Sequence, residues 1–270
     1  MTMADAGTFD ARAAQWQEWW SSLADPARHV LLSLAKVGPG TRLLDVGCGS
    51  GELAAMAADL GADVSGVDAS DNMVLIAGNT VPRADIRQGS SERLPWPDDS
   101  FDVVTAVNSF QFSDDVTVPV TEAVRVLAPG GVLAVCNWAE REHQQVREVD
   151  DAVAGLGPER AGPSVRDPDV RSAGVLEELL EGAGLRVTAA GEVPVPYELA
   201  DERELLQAFA FELPDVLPEH VTDQLVATTV ERAAAPYRLD DGSYRFENIF
   251  RYVLATAPRR AAGRGAAGRA

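Results

Sequence analysis

The chain has 270 residues and a formal net charge of −19, from 42 acidic and 23 basic residues. This length suits one large domain with insertions. The acidic balance opposes the phosphate neutralisation that nucleic-acid binding requires, so neither DNA nor RNA is expected as a partner. No apolar run is long enough for a membrane span and no secretory signal is evident, so we expect a cytoplasmic protein. Cys48 and Cys136 are too few for a disulfide framework and lack metal-ligand spacing, so no metal site is expected.

Two helical stretches are predicted before the first strand. The first covers residues 9–23 and contains three of the five tryptophans, among them Trp16. The second begins near Pro26, a residue favoured in the first turn of a helix, and reaches Lys36. We interpret residues 1–38 as an N-terminal helical lid.

Strands and helices then alternate along the chain. Strands are predicted at residues 41–46, 63–68, 84–88, 102–107 and 132–137. The helices between them are predicted at residues 51–60, 70–78 and 116–127. Such alternation implies a parallel sheet with right-handed crossover connections.

The pattern is less regular after residue 137. Helices are predicted at residues 140–154, 172–182, 201–212 and 218–234, and strands at 185–190 and 244–255. Residues 155–169 form a loop rich in Gly and Pro. Insertions at about residues 140–170 and 199–240 are expected to cap the sheet, and residues 258–270, rich in Ala, Gly and Arg, are expected to be a disordered tail.

A glycine-rich turn follows the first predicted strand, in the sequence LLDVGCGSGELA at residues 43–54. Alternating glycines make a turn tight enough to bring backbone N–H groups against a ligand. They are Gly47, Gly49 and Gly51. In the dinucleotide pattern G-x-G-x-x-G, the third glycine would stand where this chain has Glu52. A carboxylate in the first turn of a helix repels a pyrophosphate, so a ligand without phosphate fits better than a dinucleotide.

Asp68 ends the second predicted strand, about twenty residues beyond the glycine turn. Doubly wound folds bind a ribose diol at this place, because one ionised carboxylate can accept hydrogen bonds from both hydroxyls. The alternative is that Asp68 caps the helix that begins near Ser70, although Ser70 could cap that helix equally well.

Five sequence blocks occur in an order that resembles the class I S-adenosylmethionine-dependent methyltransferases. They are LLDVGCGSGELA, VSGVDAS, GSSERLPWP at residues 89–97, FDVV at 101–104 and RVLAPGG at 125–131. The resemblance is greatest to the small-molecule branch that includes the quinone C-methyltransferases. It implies a doubly wound, mostly parallel seven-stranded α/β sheet with an antiparallel last strand and helical cap segments. It also implies that residues 39–257 form the domain that binds the cofactor S-adenosylmethionine.

The resemblance assigns the methionine end of the cofactor to two strand ends. The glycine turn would hold the methionine moiety, with Asp45 near its ammonium group. Asn108 follows the fourth predicted strand, where the family contacts the methionine end. The alternative for Asn108 is an ordinary turn asparagine.

The adenine ring is expected between Ala69 or Met73 on one side and the turn of the third block on the other. Relatives commonly have an aspartate directly after the glycine of that block, whereas this chain has Ser90. A hydroxyl accepts hydrogen bonds more weakly than a carboxylate, and Ser91 and Glu92 are alternative contacts.

Methyl transfer is an in-line displacement in which the enzyme mainly aligns the reacting groups and excludes water. An oxygen or nitrogen nucleophile usually needs a general base. Of the three histidines, only His143 follows the fifth predicted strand, at the rim where the acceptor would enter. The alternative is a surface histidine on the cap. Trp138 and Phe110 are the expected pocket walls.

The predicted function is therefore methyl transfer from S-adenosylmethionine to a small, apolar metabolite, at oxygen or carbon. Quinone-branch relatives often have paired histidines after the fourth strand, where this chain has Gln111 and Phe112, so their substrate chemistry is not carried over. One alternative is a methyltransferase-like scaffold without methyl transfer, such as a cyclase or a binding protein. A less favoured alternative is a dinucleotide-dependent oxidoreductase.

Overall fold

The computed structural model describes residues 3–157, 169–210, 218 and 221–259, with side chains from residue 10 onward. The strands are β1 Arg42–Val46, β2 Asp63–Asp68, β3 Asp85–Gln88, β4 Phe101–Val107, β5 Leu127–Trp138, β6 Arg186–Pro194, β7 Tyr197–Leu199, β8 Tyr244–Phe246 and β9 Ile249–Thr256. The α-helices are α1 Met3–Trp19, α2 Asp25–Leu34, α3 Glu52–Asp59, α4 Asp71–Thr80, α5 Thr117–Val126, α6 Val146–Ala154, α7 Val175–Gly182, α8 Glu202–Phe209 and α9 Asp223–Ala234.

Seven of these strands form one sheet in the order β3-β2-β1-β4-β5-β9-β6. Strands β1 to β5 pair in parallel, and β9 pairs antiparallel with both β5 and β6. The predicted doubly wound, mostly parallel seven-stranded sheet is therefore confirmed, including its antiparallel last strand. The strand order reverses between β1 and β4, so the crevice outside the carboxyl ends of these two strands is the expected ligand site.

The sheet is buried on both faces because its central strands are almost continuously apolar. Leu43 and Val103 point into one apolar core, which α2 and α3 cover. Leu44 and Val104, the next residues along the same strands, point into the other core, which α5 and α7 cover. The alternation of strands and helices in the sequence thus gives three layers, with the sheet between two layers of helices. The carboxyl ends of the parallel strands lie at one edge of the sheet.

The last predicted strand, residues 244–255, is divided into two strands, so that prediction is wrong in detail. Between β8 and β9, the buried side chain of Asn248 accepts a hydrogen bond from the N–H of Val146 (3.2 Å) and donates one to the carbonyl of Phe246 (3.2 Å). These bonds hold the chain out of the ladder. Strand β8 then pairs with β7, a three-residue strand that the sequence analysis did not predict, in a separate two-stranded sheet.

The predicted helix at residues 140–154 begins later than expected. A 3-10 turn at Arg141–His143 comes first, and α6 starts at Val146. Most of the predicted loop at residues 155–169 and the predicted tail beyond Arg259 lie outside the described residues. In the described part of the chain, no helix combines the length and apolarity needed to cross a bilayer.

The end of α1 is anchored against the segment that contains β7 and α8. Trp20 is 8% exposed, and its indole N–H donates to the carbonyl of Ala208 (3.0 Å). Its ring stacks on Tyr197 (4.9 Å between centroids) and meets Phe209 edge-on (5.7 Å). Aromatic burial of this kind makes Trp20 part of the hydrophobic core. The N-terminal region and one predicted cap insertion are therefore packed together.

Candidate functional site

The glycine turn wraps around the carboxyl end of β2. The backbone N–H groups of Gly47 and Cys48 both donate to the carbonyl of Val67, at 2.7 and 3.0 Å. The next N–H group, that of Gly49, donates to Oδ2 of Asp68 at 3.0 Å. The turn that follows β1 and the carboxylate that ends β2 thus form one hydrogen-bonded unit at the switch point.

Two glycines of this turn are required by their surroundings. A β-carbon on Gly47 would lie 2.4 Å from Oγ of Ser109, a buried residue that follows β4. Gly49 has φ of +54° and would place a β-carbon 3.5 Å from the ring of Trp16. Left-handed backbone and close approach are the two situations in which only glycine is unstrained. The turn is therefore packed between α1 and the end of β4.

Asp68 is 8% exposed and accepts hydrogen bonds through both carboxylate oxygens. Oδ1 accepts from the N–H of Ser70 at 2.9 Å, and Oδ2 accepts from Gly49. Burial raises the pKa of Asp68, although these backbone bonds oppose the shift. Helix α4 is capped by Ser70, whose Oγ accepts from the N–H of Met73 at 3.1 Å, so the capping alternative for Asp68 is wrong. A carboxylate has about four lone-pair sites, so Asp68 can accept further bonds from a ligand.

Asp45 is 3% exposed near the carboxyl end of β1, and its Oδ1 accepts from Oγ1 of Thr105 at 2.8 Å. Burial raises the pKa of Asp45 to about 7, and the hydrogen bond from Thr105 and the positive charge of Arg28 only partly offset it. A cation bound beside this carboxyl group would favour its ionised form. The position thus suits an ammonium group.

The sequence analysis missed Arg28, which lies near the end of the glycine turn. Its side chain is 7% exposed, and Nη1 donates to Asp25 (2.6 Å) and to the carbonyl of Ser21 (2.5 Å). Nη2 lies 3.8 Å from Oε2 of Glu52, an oxygen that is buried without a hydrogen bond. The other carboxylate oxygen of Glu52 accepts from Oγ of Ser50 at 2.5 Å. No sequence spacing links Arg28 to Glu52, 24 residues away in the sequence, so only the fold reveals the contact.

The predicted adenine contacts lie around the same carboxylate. The N–H of Gly89 donates to the carbonyl of Asp68 at 2.9 Å, which places the turn at residues 89–92 beside β2. Met73 is 2% exposed, and Ala69 is half-buried.

The side chains of this turn already have protein partners. Oγ of the half-buried Ser90 accepts from the N–H of Glu92 at 3.1 Å. The carboxylate of Glu92 accepts from Oγ of Ser113 at 2.6 Å, and Ser91 is half-buried. The hydroxyl of Ser90 therefore stabilises its own turn, and its contact with adenine stays a prediction.

Asn108 connects the ends of β4 and β5. Its backbone has φ of +49°, its N–H donates to the carbonyl of Cys136 (2.7 Å), and its Oδ1 accepts from the N–H of Trp138 (3.1 Å). These bonds are those of the turn asparagine named above as the alternative. Trp138 is half-buried against Phe250 (4.6 Å), whereas Phe110 has no exposed surface and belongs to the core. Phe110 thus packs in the core, and its role as a pocket wall stays a prediction.

His143 is exposed in the 3-10 turn after β5, a turn without buried residues. Its ring is exposed to solvent, whereas the carboxylates of Asp45 and Asp68 are buried. Its role as general base stays a prediction, and its exposure favours the surface alternative.

Helix α1 lies across the turn and the start of α4. Oδ1 of Asp10 accepts from Oγ of Ser70 and from the N–H of Asn72, both at 2.8 Å. The side-chain amide of Asn72 donates back to the carbonyl of Asp10 at 2.9 Å. With Trp16 over Gly49, this contact covers the face of the site toward solvent. The sequence analysis expected a lid here but not its points of attachment.

Comparison with known proteins agrees with this geometry. Residues 44–135, from β1 to β5, match the family described as "Methyltransferase domain". Residues 44–135 are therefore similar to a methyltransferase domain. The glycine turn, Asp68, the turn at residues 89–92 and Asn108 all fall within the matched part of this domain. The predicted resemblance is confirmed, and S-adenosylmethionine is the cofactor of this domain family.

Two curated relatives are similar to part of this chain. A 2-methyl-6-phytyl-1,4-hydroquinone methyltransferase of Synechocystis is 38% identical over 112 residues, which cover 40% of this chain and 35% of the relative. A 27-O-demethylrifamycin SV methyltransferase of Amycolatopsis mediterranei is 33% identical over 165 residues, which cover 56% of this chain and 59% of the relative. The chain thus spans between about a third and three fifths of the length of these relatives.

Solved structures share the fold over a larger part of the chain. The [4+2]-cyclase SpnF has a TM-score of 0.58 with 24% identity and covers 90% of this chain and 83% of its own. A putative methyltransferase from Bacillus halodurans has a TM-score of 0.58 with 18% identity and covers 86% of this chain and 98% of its own. At these identities the likeness shows the fold alone, and the fold is found with different reactions.

Proposed function

We propose that the chain transfers a methyl group from S-adenosylmethionine to a small, mostly apolar metabolite, at an oxygen or carbon atom. The observation that carries this proposal is the hydrogen-bonded unit of glycine turn and Asp68, within the part of the chain that matches the methyltransferase domain. Both curated relatives described above are named as methyltransferases of small molecules. The net charge of −19 speaks against a nucleic acid as acceptor.

The residues of the site fit this cofactor. Asp68 would accept hydrogen bonds from the ribose hydroxyls, and Met73 and Ala69 would contact the adenine ring. The glycine turn would hold the methionine moiety. Asp45 and Arg28 lie near that turn, where the positive charge of Arg28 and the ionised form of Asp45, which a bound cation favours, would suit the carboxylate and ammonium of an amino acid. Ser90, Ser91, Glu92 and Asn108 remain proposed cofactor contacts.

When bound, S-adenosylmethionine supplies an activated methyl group on a sulfonium. The chain's own task is to orient the acceptor in line with that group and to exclude water. Helix α1 would exclude water on the side of the glycine turn, because Trp16 packs over Gly49 there. We propose residues 1–38 as the lid, residues 39–257 as the cofactor-binding domain and the insertions at about 140–170 and 199–240 as the cap. A cytoplasmic location is part of the same proposal.

The proposal is tested by incubation with S-adenosylmethionine carrying a labelled methyl group and a panel of hydroxylated aromatic and polyketide compounds. Mass spectrometry should detect a product heavier by one labelled methyl group, together with S-adenosylhomocysteine. Binding of S-adenosylhomocysteine without any methylated product would favour the scaffold alternative. Binding of NAD in its place would favour an oxidoreductase.

A further inference from the structure

A buried amide without partners lies at the carboxyl end of β5. The side chain of Asn137 has no exposed surface, and neither its Oδ1 nor its Nδ2 atom has a hydrogen-bond partner among the residues that the structure describes. Buried polar groups in folded proteins are nearly always hydrogen-bonded, and an unsatisfied one carries the full desolvation penalty. The amide therefore calls for a partner that the described part of the chain does not provide.

A second unsatisfied donor lies beside this amide. Asn137 and Arg251 are direct cross-strand partners in the antiparallel pair of β5 and β9, so their side chains are on the same face of the sheet. Nε of Arg251 is buried and also lacks a hydrogen-bond partner within the described ranges. The two side chains are therefore not bonded to each other. A bridging group that both accepts and donates a hydrogen bond would satisfy both atoms.

The charge balance of this pair determines what kind of group fits. Nη2 of Arg251 donates to Oε2 of Glu140 (2.7 Å) and to Oε1 of Glu192 (2.8 Å). One guanidinium thus faces two carboxylates, and the cluster has a net negative charge. A further anion, such as a carboxylate or a phosphate, would be repelled. A neutral hydroxyl meets the requirement, because it donates one hydrogen bond and accepts two.

The position of the pair connects it with methyl transfer. Asn137 precedes Trp138, whose N–H is bonded to Asn108 at the end of β4. The pair therefore lies at the carboxyl edge of the sheet, beside the strand ends that carry the proposed cofactor site. We propose that Asn137 and Arg251 bind a neutral hydroxyl group of the methyl acceptor, which makes the acceptor a phenol, an enol or an alcohol. This inference rests on the proposed function and adds the residues that select the acceptor.

The test compares three probes that share one ring system: 1-naphthol, naphthalene and 1-naphthoate. Each is titrated into protein saturated with S-adenosylhomocysteine. The parent protein should bind 1-naphthol at least about tenfold more tightly than either other probe, the effect of one or two good hydrogen bonds. Asn137→Leu, of similar volume, should reduce this preference to less than about threefold. Arg251→Lys, which keeps the positive charge but lacks Nε–H, should do the same. Asn79→Leu, an exposed change in α4, is the control and should retain the preference.

Thermal unfolding distinguishes a ligand site from a structural site that holds only a buried water. If the Asn137 amide is hydrogen-bonded only when a ligand is bound, the melting temperature of Asn137→Leu should equal or exceed that of the parent. The substitution removes a polar group that is unsatisfied in the protein without ligand. A melting temperature several degrees lower would overturn the proposal. Equal binding of the three probes by the parent, including binding of none, would also overturn it. Absence of S-adenosylhomocysteine binding by the parent would instead contradict the proposed function.

Discussion

The indole ring of Trp16 lies 3.5 Å from the point that a β-carbon on Gly49 would occupy. One residue comes from the first helix of the chain and the other from the turn after β1. Asp10 fixes the same helix to the start of α4 through Ser70 and Asn72. Access to the glycine turn from this side therefore depends on whether α1 stays docked.

Asp10→Ala should loosen that docking and leave the fold intact. Oδ1 of Asp10 accepts two hydrogen bonds from Ser70 and Asn72 at the start of α4, and their loss should weaken binding of S-adenosylhomocysteine about three- to tenfold. Isothermal calorimetry measures the affinity, and Asp59→Ala, an exposed change on α3, is the matched control. Equal affinities of parent and Asp10→Ala would show that α1 only packs against the domain. Deletion of residues 1–23 is a poorer test, because it removes Trp20 from the core.

Gly49→Val should abolish measurable cofactor binding. A valine at φ of +54° is strained, and its methyl groups would extend toward Trp16. Gly78→Val is the control for a glycine replaced by valine, because a β-carbon at Gly78 meets open space. In a thermal-shift assay, S-adenosylhomocysteine should stabilise the parent and the control but not Gly49→Val. Full stabilisation of Gly49→Val would place the ligand away from this turn.

Asp45 should make cofactor affinity depend on pH. Its pKa in the folded protein is raised to about 7 by burial, so the protein without ligand holds a proton on Asp45 below that pH. An ammonium group needs the ionised form, and affinity should fall by up to about tenfold for each pH unit below 7. Calorimetry with S-adenosylhomocysteine between about pH 5.5 and 8 measures this slope. Asp45→Asn should bind more weakly at pH 8 and with a flatter profile; an unchanged slope would remove Asp45 from the ammonium site.

The same shift affects folding stability in the opposite direction. Because the pKa of Asp45 in the folded protein lies above its ordinary value of 3.8, the folded state binds the proton more tightly than the unfolded state. Its contribution to stability is therefore complete below about pH 4 and is lost as the pH rises through about 7. Asp45→Asn should lack this pH-dependent contribution. The drop in its melting temperature from about pH 5.5 to about pH 8 should therefore be smaller than that of the parent. Unfolding curves that keep the parent's pH dependence in the variant would contradict the raised pKa.

Local sequence signals predicted most of the sheet and the centre of the site. Strand β2 is predicted at its observed bounds and β1 within one residue. Asp68 was found through its distance from the glycine turn. These features depend on residues close in sequence, which is why they were accessible.

Features that depend on long-range contacts were not predictable. Asn248 interrupts the last strand because it bonds Val146, a residue 102 positions away. Strand β7 has three residues and exists only through its pairing with β8. Arg28 reaches Glu52 only after α2 has packed onto the sheet. For each of these, the deciding partner is set by the fold rather than by the local pattern.

His143→Ala is expected to leave the methyl-transfer rate within a factor of about three of the parent, because the ring is exposed. A general base would contribute about 10²- to 10⁴-fold. Single-turnover rates across pH, with an acceptor found by the mass-spectrometric panel, distinguish the two outcomes. A loss of a hundredfold or more, with cofactor affinity unchanged, would establish His143 as the base after all. A small effect would leave alignment alone as the source of the rate.

The most direct test of the account is a calorimetric titration of the parent and of Asp68→Ala with S-adenosylhomocysteine. Asp68 is buried, and it should accept hydrogen bonds from both ribose hydroxyls. The parent should bind one equivalent, and Asp68→Ala should bind more weakly by about 2–3 kcal/mol, which is about thirty- to two-hundredfold. Asp71→Ala, an exposed change in the first turn of α4, should match the parent. No binding by the parent, or equal affinities of the parent and Asp68→Ala, would contradict the assignment of the cofactor site.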